Sequence, residues 1–298
     1  MSDPRAAMRD GGPDGGHTVL TVLRGAEQWL ARRGVDAPKR SAELLLGKVL
    51  GLGRLQLYLA HDRPLDEAER AAMRALVARR GEGEPVAHLL GSWSFRGLEL
   101  AVSNAVLVPR PETEVLVDHA LARAPHGGRV LDLGTGSGAI AIALAVERPD
   151  LRVVATDQSR NALEVATANV ARHGVAERVR LCAGDWWQPL AGEAPFDLVV
   201  SNPPYVDPAA PAGLAADVAA HEPPLALYSA ASDPASCYRA IAAGLSHGLV
   251  RGGWFVAETG VGASVPALAL LRGSPFLDEA ALLPDEAGID RYLLARRR

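Results

Sequence analysis

Asn202, Pro203, Pro204 and Tyr205 follow the short apolar run "DLVVS" (197–201). Two successive prolines remove two backbone donors and fix two φ angles, so a strand has to stop there. What remains is rich in acceptors: the side-chain oxygen of Asn202 and the carbonyl of Pro203, with the flat ring of Tyr205 beside them. Two acceptors can pin both N–H groups of an amide or aromatic amine and turn its delocalised lone pair toward an electrophile. Prolines fix where those acceptors point before the partner arrives, which is preorganisation. No general base is required, because the proton can leave once the product is cationic. The alternative is a double-proline strand stop with no chemistry.

A second group lies upstream. In "LDLGTGSGA" (131–139), Gly134, Thr135, Gly136, Ser137 and Gly138 form a turn between an apolar run and a helical pattern. A dinucleotide fingerprint would place its third glycine at position 139, which is Ala139, and no Lys-Ser/Thr pair follows as a P-loop requires. Asp157 ends the next apolar run, "VVATD", 23 residues after Gly134. An acid at that place can accept hydrogen bonds from both hydroxyls of a ribose. A purely structural turn and a solvated strand end are the alternatives, and the spacing favours the ligand.

These residues need a frame that brings strand ends together. Strands are expected near 129–133, 152–157, 178–183, 196–201 and 251–258, with helices near 138–148, 159–173 and 234–248. That alternation implies a parallel sheet covered on both faces. Two more strand-like runs, near 278–283 and 290–296, flank the turn "PDEAG". Upstream, residues 18–84 are rich in Ala, Leu, Arg and Glu, with apolar spacings of three and four (Val22, Ala26, Trp29, Leu30; Leu44, Leu45, Val49), and predict a bundle of four or five helices. Residues 85–108 change rhythm around Arg96-Gly97 and predict a hairpin linker. Pro111, Glu112 and Glu114 suit the first turn of a helix opening the region 109–298. Residues 1–17 form an expected disordered tail with no apolar signal segment, and 207–219 a flexible loop.

Composition narrows the function classes. Apolar residues make up 48% of the 298, enough for a globular chain with two domains, and no apolar run is long enough to span a membrane. The two cysteines, Cys182 and Cys237, lie far apart, which fits a reducing cytoplasm without disulfides. The eight histidines show no metal-ligand spacing, so no metal is expected. Residues 1–85 carry 14 Lys/Arg against 12 Asp/Glu, and the remainder 17 against 23. A duplex-binding protein presents a basic footprint, and the larger part of this chain lacks one in bulk; stable nucleic-acid binding is not expected.

"VLDLGTGSG" followed by "VVATD" resembles the cofactor site of class I S-adenosylmethionine-dependent methyltransferases. The resemblance implies an α/β, Rossmann-like, seven-stranded methyltransferase domain, here preceded by a small all-helical domain and a β-hairpin linker. It also implies S-adenosyl-L-methionine as cofactor, held by Gly134, Thr135, Gly136, Ser137, Gly138 and Asp157, with Asp185 and Trp186 of "GDWW" beside the adenine. Packing of Trp186 and Trp187 into the core is the alternative for that segment.

The Asn-Pro-Pro-Tyr elbow resembles that of methyltransferases acting on planar nitrogen, both DNA adenine and protein glutamine enzymes. "GSWSFRGLELAVSNAVLVPRPETEVLV", "EPPLAL" (222–227) and the terminal "GIDRYLLARR" are similar to the peptide chain release factor N5-glutamine methyltransferases, over roughly residues 20–298. That family implies the glutamine of the release factor's Gly-Gly-Gln as substrate. Asn202, Pro203 and Tyr205 would be catalytic and, with Pro204, substrate-binding, Asn202 also facing the cofactor. The helical domain would help hold a class I release factor. The chain departs from the family pattern at His221, at Pro234-Ala235-Ser236 and at Ala263, positions that bear on substrate recognition. Competing readings are a ribosomal-protein glutamine methyltransferase, a DNA adenine methyltransferase and a non-catalytic cofactor-binding module.

Overall fold

The computed structural model describes residues 16–209 and 216–298; most of the expected tail and part of the expected 207–219 loop lie outside them. The chain forms two compact units. One ends at Gly91 and takes in a short later helix, and the other begins at Ser92 and holds the remaining described residues.

The first unit is helical: α1 (Val19–Arg32), α2 (Pro38–Leu50), α3 (Arg54–Leu59), α4 (Glu67–Gly81) and α5 (Val86–Leu90). Its helix starts are written in the sequence. Asp66 accepts from the Glu69 amide (2.8 Å) while Glu69 accepts from the Asp66 amide (3.0 Å), a reciprocal cap at the head of α4. The core joins Val22, Ala26, Trp29 and Leu30 of α1 to Leu45 and Leu46 of α2 and Met73 and Val77 of α4. Gly81 gives Trp29 its room, since a Cβ there would lie 2.2 Å from the indole. The later helix grouped with this unit is Ala216–His221.

The second unit opens with the hairpin β1 (Ser92–Phe95) and β2 (Leu98–Ala101), which turns at Arg96-Gly97, both with positive φ. Arg96 fastens this turn: its guanidinium pairs with Glu147 (2.5 Å) and Asp118 (2.9 Å), and its amide donates to Glu114 (2.9 Å). Then follow α6 (Pro111–Leu121), β3 (Arg129–Leu133), α7 (Ala139–Glu147), β4 (Arg152–Asp157), α8 (Arg160–Arg172), β5 (Val179–Ala183) and β6 (Phe196–Ser201). Counting Ala216–His221 as α9, the chain continues with α10 (Pro224–Leu227), α11 (Ser236–Gly248), β7 (Leu249–Glu258), α12 (Ser264–Arg272), β8 (Leu277–Pro284) and β9 (Asp290–Arg297). No helix among the described residues is long and apolar enough to cross a membrane.

The seven strands run in the order β5-β4-β3-β6-β7-β9-β8. The first five are parallel, and β9 is antiparallel to both of its neighbours. Period-two alternation sends successive side chains to opposite faces. Val130, Val153, Leu198 and Val256 join α6 and α7 in one core, while Leu131, Val154, Val199 and Phe255 join α11 and α12 in the other. Because both faces are covered, the strands read as near-continuous apolar runs. The chain order reverses between β4 and β6 on either side of β3, so the crevice for a ligand opens at the carboxyl ends of these three strands.

Candidate active site

Each of the three strands ends in one of the groups singled out from sequence. After β3 the glycine turn folds back on β4, with the Gly134 and Thr135 amides both donating to the Thr156 carbonyl (2.9 Å each). Gly134, Gly136 and Gly138 all have positive φ, which L side chains rarely adopt. Buried Asn169 of α8 locks the turn from behind, donating to the Ser137 carbonyl (2.9 Å) and exchanging two hydrogen bonds with Ala101 of the hairpin. The hairpin is thereby tied to the glycine turn.

Asp157 closes β4 with its carboxylate already engaged: one oxygen accepts from the Gly136 amide and the other from the Ser159 amide, both at 2.8 Å. A carboxylate has about four acceptor sites, so capacity remains for two donors in the crevice. Burial pushes its pKa up, and the two amides oppose that. Below the turn, Asp132 is fully buried and accepts a 2.6 Å hydrogen bond from the Thr135 hydroxyl. Burial, only partly opposed by Thr135, pushes its pKa up to about 7.

A cavity of about 200 Å³ lies over these strand ends. Gly134, Thr135, Gly136, Ser137, Asp157, Asp185, Trp186, Asn202 and Pro204 line it, whereas Gly138, Pro203 and Tyr205 stand outside the lining. The two tryptophans of "GDWW" part company. Trp186, held at φ 43°, faces the cavity. Trp187 turns into the core, donates from Nε1 to the Ile241 carbonyl (2.9 Å) and packs on Gly244 and Gly248. Both rings pack against the same core, and of the two only Trp186 also lines the cavity.

The elbow after β6 is anchored from below. The Asn202 amide nitrogen donates to Thr113 Oγ1 (3.2 Å), and the Thr113 hydroxyl donates to Glu258 Oε2 (2.7 Å). The Tyr205 hydroxyl lies 3.5 Å from Glu258 Oε1. Glu258 ends β7 almost fully buried, and burial pushes its pKa up to about 7 despite the Thr113 hydrogen bond and the nearby Arg291 charge. Tyr205 is pushed well above the usual phenol range by burial first and by the Glu258 charge second. Thr113 and Glu258 were not singled out from sequence. "PRPETE" is accounted for by a helix start with Pro111 and two acids in its first turn, but an acid closing the buried strand "WFVAE" carries the same signal as Asp157.

The descriptions of two known domains match this chain. That of the PrmC N-terminal domain covers residues 21–91, and that of the methyltransferase small domain covers 111–220. A release factor glutamine methyltransferase of Geobacter sulfurreducens is 42% identical over 279 residues, 94% of this chain and 96% of its own length. The chain belongs to the release factor glutamine methyltransferase family. The family member from Escherichia coli is 42% identical over 226 residues, 76% of this chain and 80% of its own length. Among solved structures, the hMettl16 catalytic domain in complex with the MAT2A 3′UTR hairpin 1 is 18% identical, with a TM-score of 0.51 over 67% of this chain and 75% of that one. That likeness is one of fold: the mostly parallel seven-stranded methyltransferase sheet.

Proposed function

We propose that this chain transfers a methyl group from S-adenosyl-L-methionine to the side-chain nitrogen, N5, of the glutamine in the Gly-Gly-Gln motif of a class I peptide chain release factor. The observation that carries the reading is that Asn202 lines the same cavity as the glycine turn and Asp157, from strands on either side of β3. Asn202 and Pro204 bring the elbow to this nucleoside-type crevice, which supports reading the two as one site.

The cavity suits this cofactor. Glycines at positive φ let backbone approach a ligand closely, and a Cβ at Gly134 would stand 3.6 Å from the Trp186 ring, in the cleft between turn and indole. Asp157 has acceptor capacity for the ribose hydroxyls, and Trp186 offers a flat face for adenine. S-adenosyl-L-methionine supplies a methyl carbon activated by a sulfonium. The chain's own part is to orient the glutamine: Asn202 Oδ1 and the Pro203 carbonyl accept its two N–H groups, and Tyr205 borders the planar amide. The helical unit helps to hold the release factor, and the reaction belongs to the cytoplasm, where release factors act.

Incubation with the cofactor and release factor, followed by peptide mass spectrometry, should find one methyl on that glutamine. Replacing the glutamine should remove it. Methylation only of ribosomal protein or of DNA would retire this reading in favour of the corresponding competitor.

A further inference from the structure

The elbow does not orient itself. An asparagine amide is nearly symmetric in shape, and a half-turn about its last torsion exchanges oxygen for nitrogen. With the oxygen forward Asn202 accepts from a substrate N–H; with the nitrogen forward it offers a donor to a donor. Something must fix the choice, and the chain of hydrogen bonds beneath Asn202 does so by its polarity.

The geometry points to Thr113 and Glu258 as positioning residues that hold the Asn202 amide with its oxygen toward the methyl acceptor. The argument starts from Glu258, whose ionised carboxylate accepts only. At 2.7 Å from Oε2 the Thr113 hydroxyl must donate to it. A hydroxyl has one proton, so toward Asn202, at 3.2 Å, Thr113 Oγ1 has only lone pairs. The group facing Thr113 is therefore the Asn202 NH2, and its oxygen faces the other way. The same carboxylate reaches the Tyr205 hydroxyl with its second oxygen, so both ends of the elbow rest on one residue. This inference rests on the proposed role of Asn202 as acceptor for the glutamine N–H.

The direction depends on the charge of Glu258. Once protonated, the carboxyl can donate to Thr113, which can then donate to Asn202, and the reversed chain turns the amide nitrogen forward. The surroundings hold that balance near neutrality. Glu112 and Thr113 act on the carboxylate from α6, Tyr205 from the elbow and Arg291 from β9. Tyr292 of β9 feels the same charge, and Tyr238 of α11 donates to the Glu258 carbonyl at 2.8 Å. Arg291 favours the ionised form; burial and Glu112 oppose it.

The test is single-turnover methylation of release factor at saturating cofactor, with cofactor affinity measured in parallel. Thr113→Val keeps the shape and removes the hydroxyl. It should lower the rate at least about tenfold, as loss of orientation does, with the cofactor Kd and the release factor KM within about twofold of the parent. Thr113→Ser should restore most of the rate. The parent rate should rise with pH through the ionisation of Glu258, and Glu258→Gln, which cannot ionise, should lose that rise. A Thr113→Val rate within threefold of the parent would overturn the inference. Should that variant prove too unstable to assay, an acid limb unchanged in Glu258→Gln overturns it equally. The parent reports separately on the function: a parent that leaves the glutamine unmethylated sinks the proposed function. A parent that methylates it and loses activity in Asn202→Ala, but not in Thr113→Val, sinks this inference alone.

Discussion

The ring of Tyr205 lies against the backbone of Gly260, so close that a Cβ on Gly260 would sit 2.5 Å from a ring carbon. The glycine is there for space. Its φ is not in the left-handed region, so alanine meets no backbone strain and acts only through that collision. Tyr205 would have to swing away from Glu258 and from the end of the elbow. Gly260→Ala is expected to lower the methylation rate at least about tenfold, and forced repacking should cost about 1–3 kcal/mol of stability. Rate assays and denaturant unfolding on the same preparation check both.

Trp187 offers the complementary case, a tryptophan beside the cavity that serves the fold. Its indole fills the space over Gly244 and Gly248, where a Cβ would lie 2.2 and 2.1 Å from ring atoms. Trp187→Ala is expected to destabilise the protein by about 3–5 kcal/mol, the cost of emptying a large aromatic site. Trp186→Ala, whose ring packs on the same core but also lines the cavity, should cost less stability than Trp187→Ala and should weaken cofactor binding. Calorimetric titration and thermal melts on the two variants separate the roles. Equal effects on both readouts would mean that the pair does not divide as described.

Asp157→Ala removes the proposed ribose acceptor and also frees the two amides that the carboxylate holds at 2.8 Å. The expected loss of S-adenosyl-L-methionine affinity is about 1.5–3 kcal/mol, the size of lost charge-assisted hydrogen bonds. Titration calorimetry measures it, and an unchanged Kd would sink the ribose assignment.

What was legible in the sequence followed from locality. The alternation "VLDL", "VVATD" and "DLVVS" marks strands because each sends neighbouring residues to opposite cores, and the glycine turn, Asp157 and Asn202 sit at their ends. The resemblance singled out Trp186, but the packing of Trp187 was not legible, because it depends on glycines more than fifty residues away. Helix α12 was hidden by composition: Pro266 lies in its first turn and the glycine-rich "TGVGA" precedes it, which reads as loop. Thr113 was hidden by distance. Its partners Asn202 and Glu258 are 89 and 145 residues away, and a helix start already explained "PRPETE". With only the elbow in view, the expected reaction needs no base and its rate should be flat near neutrality. On the proposed positioning role of Glu258, an acid limb is expected instead, with Glu258 still not acting as a base.

Two buried carboxyls also predict how stability changes with pH. Burial pushes Asp132 and Glu258 up to about 7 from ordinary values of 3.8 and 4.5. With the folded pKa above the unfolded one, the folded state binds the proton more tightly between the two. The contribution to stability is therefore complete below about pH 4 and is lost as pH rises through about 7. His119 tilts the other way: burial, with help from Arg123, lowers its pKa, so its protonation on acidification opposes folding. The informative quantity is the difference between parent and variant. Asp132→Asn cannot ionise, so relative to the parent it should gain stability between pH 5 and pH 8 in the cofactor-free protein. Urea unfolding at those two pH values checks this, and a parent-to-variant difference that stays the same at both would mean that Asp132 does not titrate in that window.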